Sequence, residues 1–342
     1  MPSDFSHSEP LVSVVIPAYK VERFIAQTLR SVYKQTVTDL EIIVVNDGSP
    51  DGTGDVLARE TDPRLRVITQ PNGGECVARN RGIAEARGKY IAFLDSDDAW
   101  LPDHLELAVR FLEANPDYAW YSTHYTPVKQ ISDEDLVPSK PCTSGYYAVH
   151  WFLEEDPPTS CSSAVVRREA LPKGNLFPPG VKMYGDCVGW CRFAHLYPMV
   201  GTIDCQTALY RVWSGSATGE YLRNGNGTAN NGTEIDMLML LQEMYCDPTY
   251  SKEAKLSFKR VFLCNWWERI RSASLIGWLP EIQKRRPSLG FCLTAWLKMG
   301  VYANHLHTLV MRKIVHLCYD AVKRKSRRLA AKARRQLPGA DS

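Results

Sequence analysis

The hydrophobic pattern between residues 11 and 123 switches repeatedly between two periods. Residues 11–16, 41–45, 65–69, 89–94 and 118–123 are short runs rich in Val, Ile and aromatic side chains. Turn residues bound them, which is the signature of buried strands. Between these runs, residues 21–33, 53–60, 75–86 and 102–114 space their apolar positions three and four apart, as at Phe24, Ile25, Leu29 and Val32, and this predicts helices. Strands alternating with helices predict an α/β fold, a mainly parallel sheet flanked by helices. Right-handed crossovers then bring every strand's C-terminal end to one edge of the sheet, where open sheets of this kind bind ligands.

Past residue 125 the pattern loosens around Pro127, Pro138, Pro141, Pro157 and Pro158. Residues 162–167 and 200–212 read as strands, and residues 185–197 as a helix. A Gly- and Asn-rich flexible loop is expected at 216–234, followed by a helical C-terminal extension at 235–335. No apolar run reaches the ~20 residues that span a bilayer.

The loops at the predicted edge carry the chemistry. They are Pro17-Ala-Tyr19, Asn46-Asp47-Gly48-Ser49, Pro71-Asn72-Gly73-Gly74 and Asp95-Ser96-Asp97-Asp98. Three carboxylates within four residues repel one another unless a cation or hydrogen-bond donors compensate them. An oxygen-rich cluster without thiolates suits a hard divalent ion, which keeps waters and shares its shell with substrate phosphates. The competing reading is an N-cap, since a helix is predicted just beyond and Asp98 is placed to cap it; that accounts for one carboxylate of the three.

Composition changes this picture little. With 44% hydrophobic and 23% charged residues the chain is an ordinary globular protein. Ten cysteines lie scattered without the paired spacing of a zinc site, so free thiols in a reducing cytosol are expected. Met1 to Pro10 is polar, and no secretory signal is read there. Charge adds one feature. Residues 312–335 hold ten Lys and Arg against Asp320, a local +9; with a total of +3, the remainder carries −6.

Taken together and in order, the motifs resemble glycosyltransferase family 2. They are Val15-Ile-Pro-Ala-Tyr19, Glu41-Ile-Ile-Val-Val-Asn-Asp-Gly-Ser49, Asn72-Gly-Gly with Ala78-Arg-Asn-Arg-Gly82, Phe93-Leu-Asp-Ser-Asp-Asp98, Gly185-Asp186 with Trp190 and Arg192, and Tyr210-Arg-Val-Trp-Ser-Gly-Ser216. The resemblance covers residues 10–215. It implies an inverting enzyme with the type A nucleotide-sugar-binding fold. Residues 10–123 would form a nucleotide-binding half and residues 124–215 an acceptor half.

The resemblance also implies site roles. Pro17, Tyr19, Glu22, Asp47, Asn72, Arg79, Asp95 and Ser96 fall at donor-binding positions, Tyr19 by stacking on a base and Arg79 by charge-assisted bonds. Glu22 equally suits a helix cap, and Asp47 a turn. Asp97 and Asp95 would hold Mn²⁺ or Mg²⁺. Asp186 would be the catalytic base, although the acidic residue common before it is Gly185 here. Trp190 would pack under an acceptor sugar or fill the core. Many members carry a metal-ligating His where this chain has Trp213.

The implied substrates are a nucleotide-diphosphate sugar, UDP-linked, and a saccharide or lipid-linked acceptor, with a role in bacterial surface polysaccharide or glycolipid assembly. The basic amphipathic segment 312–335 suits an anionic membrane surface, so a cytoplasmic enzyme, peripheral on the inner face of the cell membrane, is expected. No nucleic-acid reading module accompanies the charge. Two other readings stay open: a non-catalytic nucleotide-sugar-binding module, and a sugar nucleotidyltransferase, whose Gly- and Lys-containing phosphate loop is missing after the first strand.

Overall fold

The computed structural model describes residues 9–139, 145–151, 159–181 and 185–216. The loop expected beyond Ser216, the helical extension and the basic segment 312–335 lie outside the described residues. In chain order the elements are β1 (Val12–Ala18), α1 (Ile25–Tyr33), β2 (Leu40–Asn46), α2 (Thr53–Leu57), β3 (Leu65–Thr69), α3 (Glu75–Glu85), β4 (Tyr90–Phe93), β5 (Ala99–Trp100), α4 (His104–Ala114), β6 (Trp120–Tyr121), β7 (Tyr125–Val128), β8 (Tyr147–His150), β9 (Val165–Arg167), α5 (Gly185–Leu196), β10 (Met199–Thr202) and β11 (Ala208–Arg211).

Eight strands form the main sheet in the order β3-β2-β1-β4-β9-β6-β10-β8. The run from β3 to β4 is parallel throughout. β9 then enters antiparallel between β4 and β6, and β10 resumes the parallel direction beside β6. Strands from the two halves expected at 10–123 and 124–215 therefore interleave in one sheet. β1 and β2 are buried along their whole length, as strands covered on both faces must be. Val14, Ile16, Ile42 and Val44 face a core built with Ile25 and Leu29 of α1, Leu57 of α2 and Phe111 of α4. Val15, Ile43 and Val45 face the opposite core, built with Ala78 of α3 and Val188, Trp190 and Phe193 of α5. Side-chain alternation along each strand splits these residues between the two layers.

Four expectations need correction. The strand expected at 200–212 is two strands: β10 completes the main sheet, and β11 joins a second sheet, β5-β11-β7. There Ala208 pairs with Trp100 on one side and Tyr125 on the other, partners so distant in sequence that no local period marks them. β5, β7 and β8 were not anticipated for the same reason. Asp98 does not cap the next helix, because α4 begins only at His104, after Asp103. Among the described cysteines, Cys76, Cys161, Cys187 and Cys191 are free, but Cys205 is disulfide-bonded; composition carries no information on which cysteines approach one another. No helix among the described residues is long and apolar enough to cross a membrane.

Candidate active site

The loops that leave β1, β2, β3 and β4 gather at one sheet edge because those four strands run parallel. The loop after β2 is built around Asp47, which is 2% exposed. Its carboxylate accepts the backbone N–H groups of Gly73 and Gly74 at 2.9 and 2.8 Å and the Gln70 amide at 2.7 Å, while the Asn72 amide donates to its carbonyl at 3.0 Å. Asp47 and Asn72 thus lace the loops after β2 and β3 together. Gly48 has φ +66°, and a Cβ there would fall 2.9 Å from the Asn72 nitrogen, so only glycine fits this approach.

Glu22 does not cap α1. Its carboxylate accepts the Gly52 N–H at 2.6 Å, tying the loop after β1 to the start of α2. Pro17 is buried within β1. Tyr19, just beyond β1, keeps 43% of its surface exposed, and the Lys20 ammonium lies 5.2 Å from its ring centre. This exposure excludes the packed-core alternative for Tyr19.

Arg79 projects from α3 and is 1% exposed. Its Nη2 donates to Asp95 Oδ1 at 2.6 Å and also pairs with Glu75 one helical turn earlier. The guanidinium lies 5.4 Å from the Phe177 ring centre. Burial alone would lower its pKa; the anionic neighbours, among them Glu75, Asp95 and Asp186, more than offset this and raise it well above the ordinary value. A surface salt bridge is therefore excluded: Arg79 is the cation of a buried cluster. Glu75 had no sequence signal beyond its place at the start of α3. Half its side-chain surface stays open, yet its carboxyl is held above the usual carboxylate range, first by the protein crowding it and then by Asp95 and Asp186, with Arg79 opposing.

The three carboxylates after β4 have separate fates. Asp98 is fully buried; Oδ2 accepts the Ser162 hydroxyl at 2.5 Å and Oδ1 the Arg211 N–H at 2.8 Å. Burial raises its pKa well above the ordinary value, with Asp97 and Asp95 adding to the effect. Asp98 is thus a structural anchor joining β4, β9's approach and β11. Ser96 is buried, and its carbonyl, like that of Asp98, accepts the Thr28 hydroxyl of α1 at 2.9 Å. Asp97 accepts the Trp213 indole N–H on Oδ2 at 2.7 Å. Burial raises the Asp97 pKa, and the Trp213 bond works against that. Position 213 therefore does reach the acidic loop, with a donor in place of a ligand.

Among the described residues, no group of three or more His, Cys, Asp and Glu is arranged to hold a metal. Two neighbouring carboxylates, Asp95 and Asp97, fit a hard cation whose remaining positions are filled by water and phosphate. They do not fit a closed all-protein cage.

Asp186 lies in the first turn of α5, half-buried. Its charge adds to those that raise the pKa values of Glu75 and Arg79. Gly185 has a steric cause: a Cβ there would fall 2.2 Å from the Cys76 sulfur. Trp190 needs correction. It is 2% exposed, stacks on Trp120 at 5.8 Å and meets Phe93 edge-on at 5.4 Å; an aromatic enclosed on all sides belongs to the core and offers no face to a sugar.

An α/β sheet with an acidic loop after its fourth strand defines the class. Residues 13–173 match the model of glycosyl transferase family 2. It is 29% identical over 254 residues to the putative teichuronic acid biosynthesis glycosyltransferase TuaG of Bacillus subtilis (strain 168), covering 72% of this chain and 96% of that one. The chain spans only about a quarter to a third of four other curated relatives, between 26% and 34% of their length. Among solved structures, S. aureus TarS 1-349 in complex with UDP-GlcNAc superposes with TM-score 0.57 at 18% identity, over 74% of this chain and 72% of that one. The mannosyltransferase PcManGT of Pyrobaculum calidifontis, in complex with GDP-Man and Mn²⁺, gives TM-score 0.57 at 19% identity, over 93% and 88%. These two share the fold.

Proposed function

We propose that this chain is an inverting, metal-dependent glycosyltransferase. It moves a sugar from a nucleotide diphosphate, UDP-linked, to the hydroxyl of a saccharide or lipid-linked acceptor in surface polysaccharide or glycolipid assembly. The observation that carries the reading is the buried Arg79 guanidinium, which bonds Asp95 of the acidic loop at 2.6 Å. The nucleotide sugars bound by the two solved relatives and the name of the teichuronic acid relative support the substrate class.

Each residue has a task in this mechanism. Tyr19 stacks on the base. Asp47 and Asn72 shape the pocket floor. Asp97 and Asp95 would hold Mn²⁺ or Mg²⁺, which when bound offsets the charge of the departing diphosphate. Arg79 holds Asp95 in place and lends positive charge beside the phosphates. Asp186 accepts the proton of the attacking hydroxyl as the new bond forms on the face opposite the leaving group. The +9 segment 312–335 supports peripheral attachment to an anionic membrane; truncation before Lys323 is expected to lower binding to anionic vesicles.

The test pairs calorimetric titration of UDP, with and without Mn²⁺, with hydrolysis of a nucleotide-sugar panel. Asp186→Asn is expected to keep UDP binding and lose turnover by about 100-fold or more. Turnover unaffected by that substitution refutes the assignment of the base, and UDP binding without any turnover in the wild type favours a binding module.

A further inference from the structure

The segment leaving β11 grips the acidic loop at three points. The Arg211 N–H donates to Asp98 Oδ1 at 2.8 Å, its Nε donates to the Asp97 carbonyl at 2.7 Å, and the Trp213 indole donates to Asp97 Oδ2 at 2.7 Å. The indole is itself held firmly. Its ring meets Phe24 edge-on with centroids 4.8 Å apart, and Phe24 in turn lies 4.6 Å from the Arg211 guanidinium. The Ser216 N–H and hydroxyl both return to the Trp213 carbonyl, at 3.3 and 2.9 Å. Gly215 completes the seat, since a Cβ there would fall 2.1 Å from the indole Cζ3. An indole N–H donates and cannot ligate a cation.

We propose that Trp213 is a positioning residue that locks the Asp97 carboxylate in one rotamer and turns a single oxygen, Oδ1, toward a divalent cation. This rests on the metal-dependent reading above. With Oδ2 accepting the indole N–H, Oδ1 is the oxygen that would serve a cation. The Trp213 bond also links cation binding to the end of β11, because the same segment anchors Asp98. Without the N–H the carboxylate is free to rotate, and fixing it again costs binding free energy.

The test uses the full chain, with Mn²⁺ and UDP as probes and free Mn²⁺ read by electron paramagnetic resonance. Trp213→Phe keeps a ring against Phe24 and removes the N–H. Gly215→Ala keeps the indole and pushes it off its seat. In both, Mn²⁺ affinity in the presence of UDP is expected to fall about tenfold, as when outer-shell donors to metal ligands are deleted, while UDP affinity without Mn²⁺ stays within about twofold. Near-UV circular dichroism identifies which variants fold, and either one suffices. Wild-type Mn²⁺ affinity in a folded variant overturns the proposal, as does an equal loss of UDP binding without Mn²⁺, which would mark a purely structural role. Wild-type protein that binds UDP but no Mn²⁺ overturns the metal reading beneath it, an outcome distinct from the other two.

Discussion

Replacing Arg79 by Met tests whether the carboxylates of the cleft form one electrostatic unit. The substitution preserves most of the side-chain volume and removes a guanidinium that is 1% exposed and bonded to both Asp95 and Glu75. Removing one partner of a fully buried pair costs about 3–5 kcal/mol, because the other charge stays buried and unpaired. Here the stranded carboxylates are partly open, 27% for Asp95 and 51% for Glu75, so water recovers part of that cost and a loss of about 2–3 kcal/mol is expected. Loss of the contact with Phe177 contributes about 0.5–1 kcal/mol within that figure. The loss should depend on pH with a definite sign. Glu75 already has a folded-state pKa above its unfolded value, held up by crowding and lowered by Arg79, so removing Arg79 raises it further. Stability is then fully present below the unfolded pKa and is lost as pH rises through the folded one. Urea denaturation with metal chelated should therefore show Arg79→Met more destabilised at pH 7.5 than at pH 5. Glu75→Gln on the same background should restore part of the stability. A loss under about 1 kcal/mol that is equal at both pH values would refute the reasoning, since the carboxylates would then be compensated by water rather than by Arg79.

Further outcomes follow from other sites. His104 is fully buried, stacked on Trp100 and bonded to the Thr207 hydroxyl at 2.7 Å; burial pushes its pKa down to about 3. Protonation in the unfolded state should thus erode stability as pH falls below about 6.5, by up to ~1.4 kcal/mol per pH unit, and His104→Gln should remove that component of the urea-melt pH profile. A Cβ on Gly201 would fall 1.9 Å from Phe111, a ring enclosed in the core, so Gly201→Ala should cost about 1–3 kcal/mol by overpacking, measured as a lowered urea midpoint. On the metal-dependent reading, removal of divalent ions with EDTA should abolish sugar transfer and Mn²⁺ should restore it, because among the described residues no group of three or more ligand side chains could hold the ion without phosphate and water.

What the sequence by itself determined was local. The parallel half of the sheet was legible because β1, β2 and β4 are continuous apolar runs punctuated by Pro, Gly and Asn, and helices α1, α3 and α4 carry their own period. The position of the acidic loop followed from that alternation, since parallel strands must end on one edge. The roles within the site were decided by tertiary structure. Whether Asp47 laces loops, whether Trp190 is a platform or core, and how Asp95, Asp97 and Asp98 are each held all depend on partners far along the chain. Gly73 reaches Asp47, Ser162 and Arg211 reach Asp98, and Trp213 reaches Asp97. Such contacts leave no period in the sequence, because a hydrogen bond between distant segments constrains one side chain at each end and nothing between. Burial and pairing are properties of the assembled layers, and those assign each carboxylate its task.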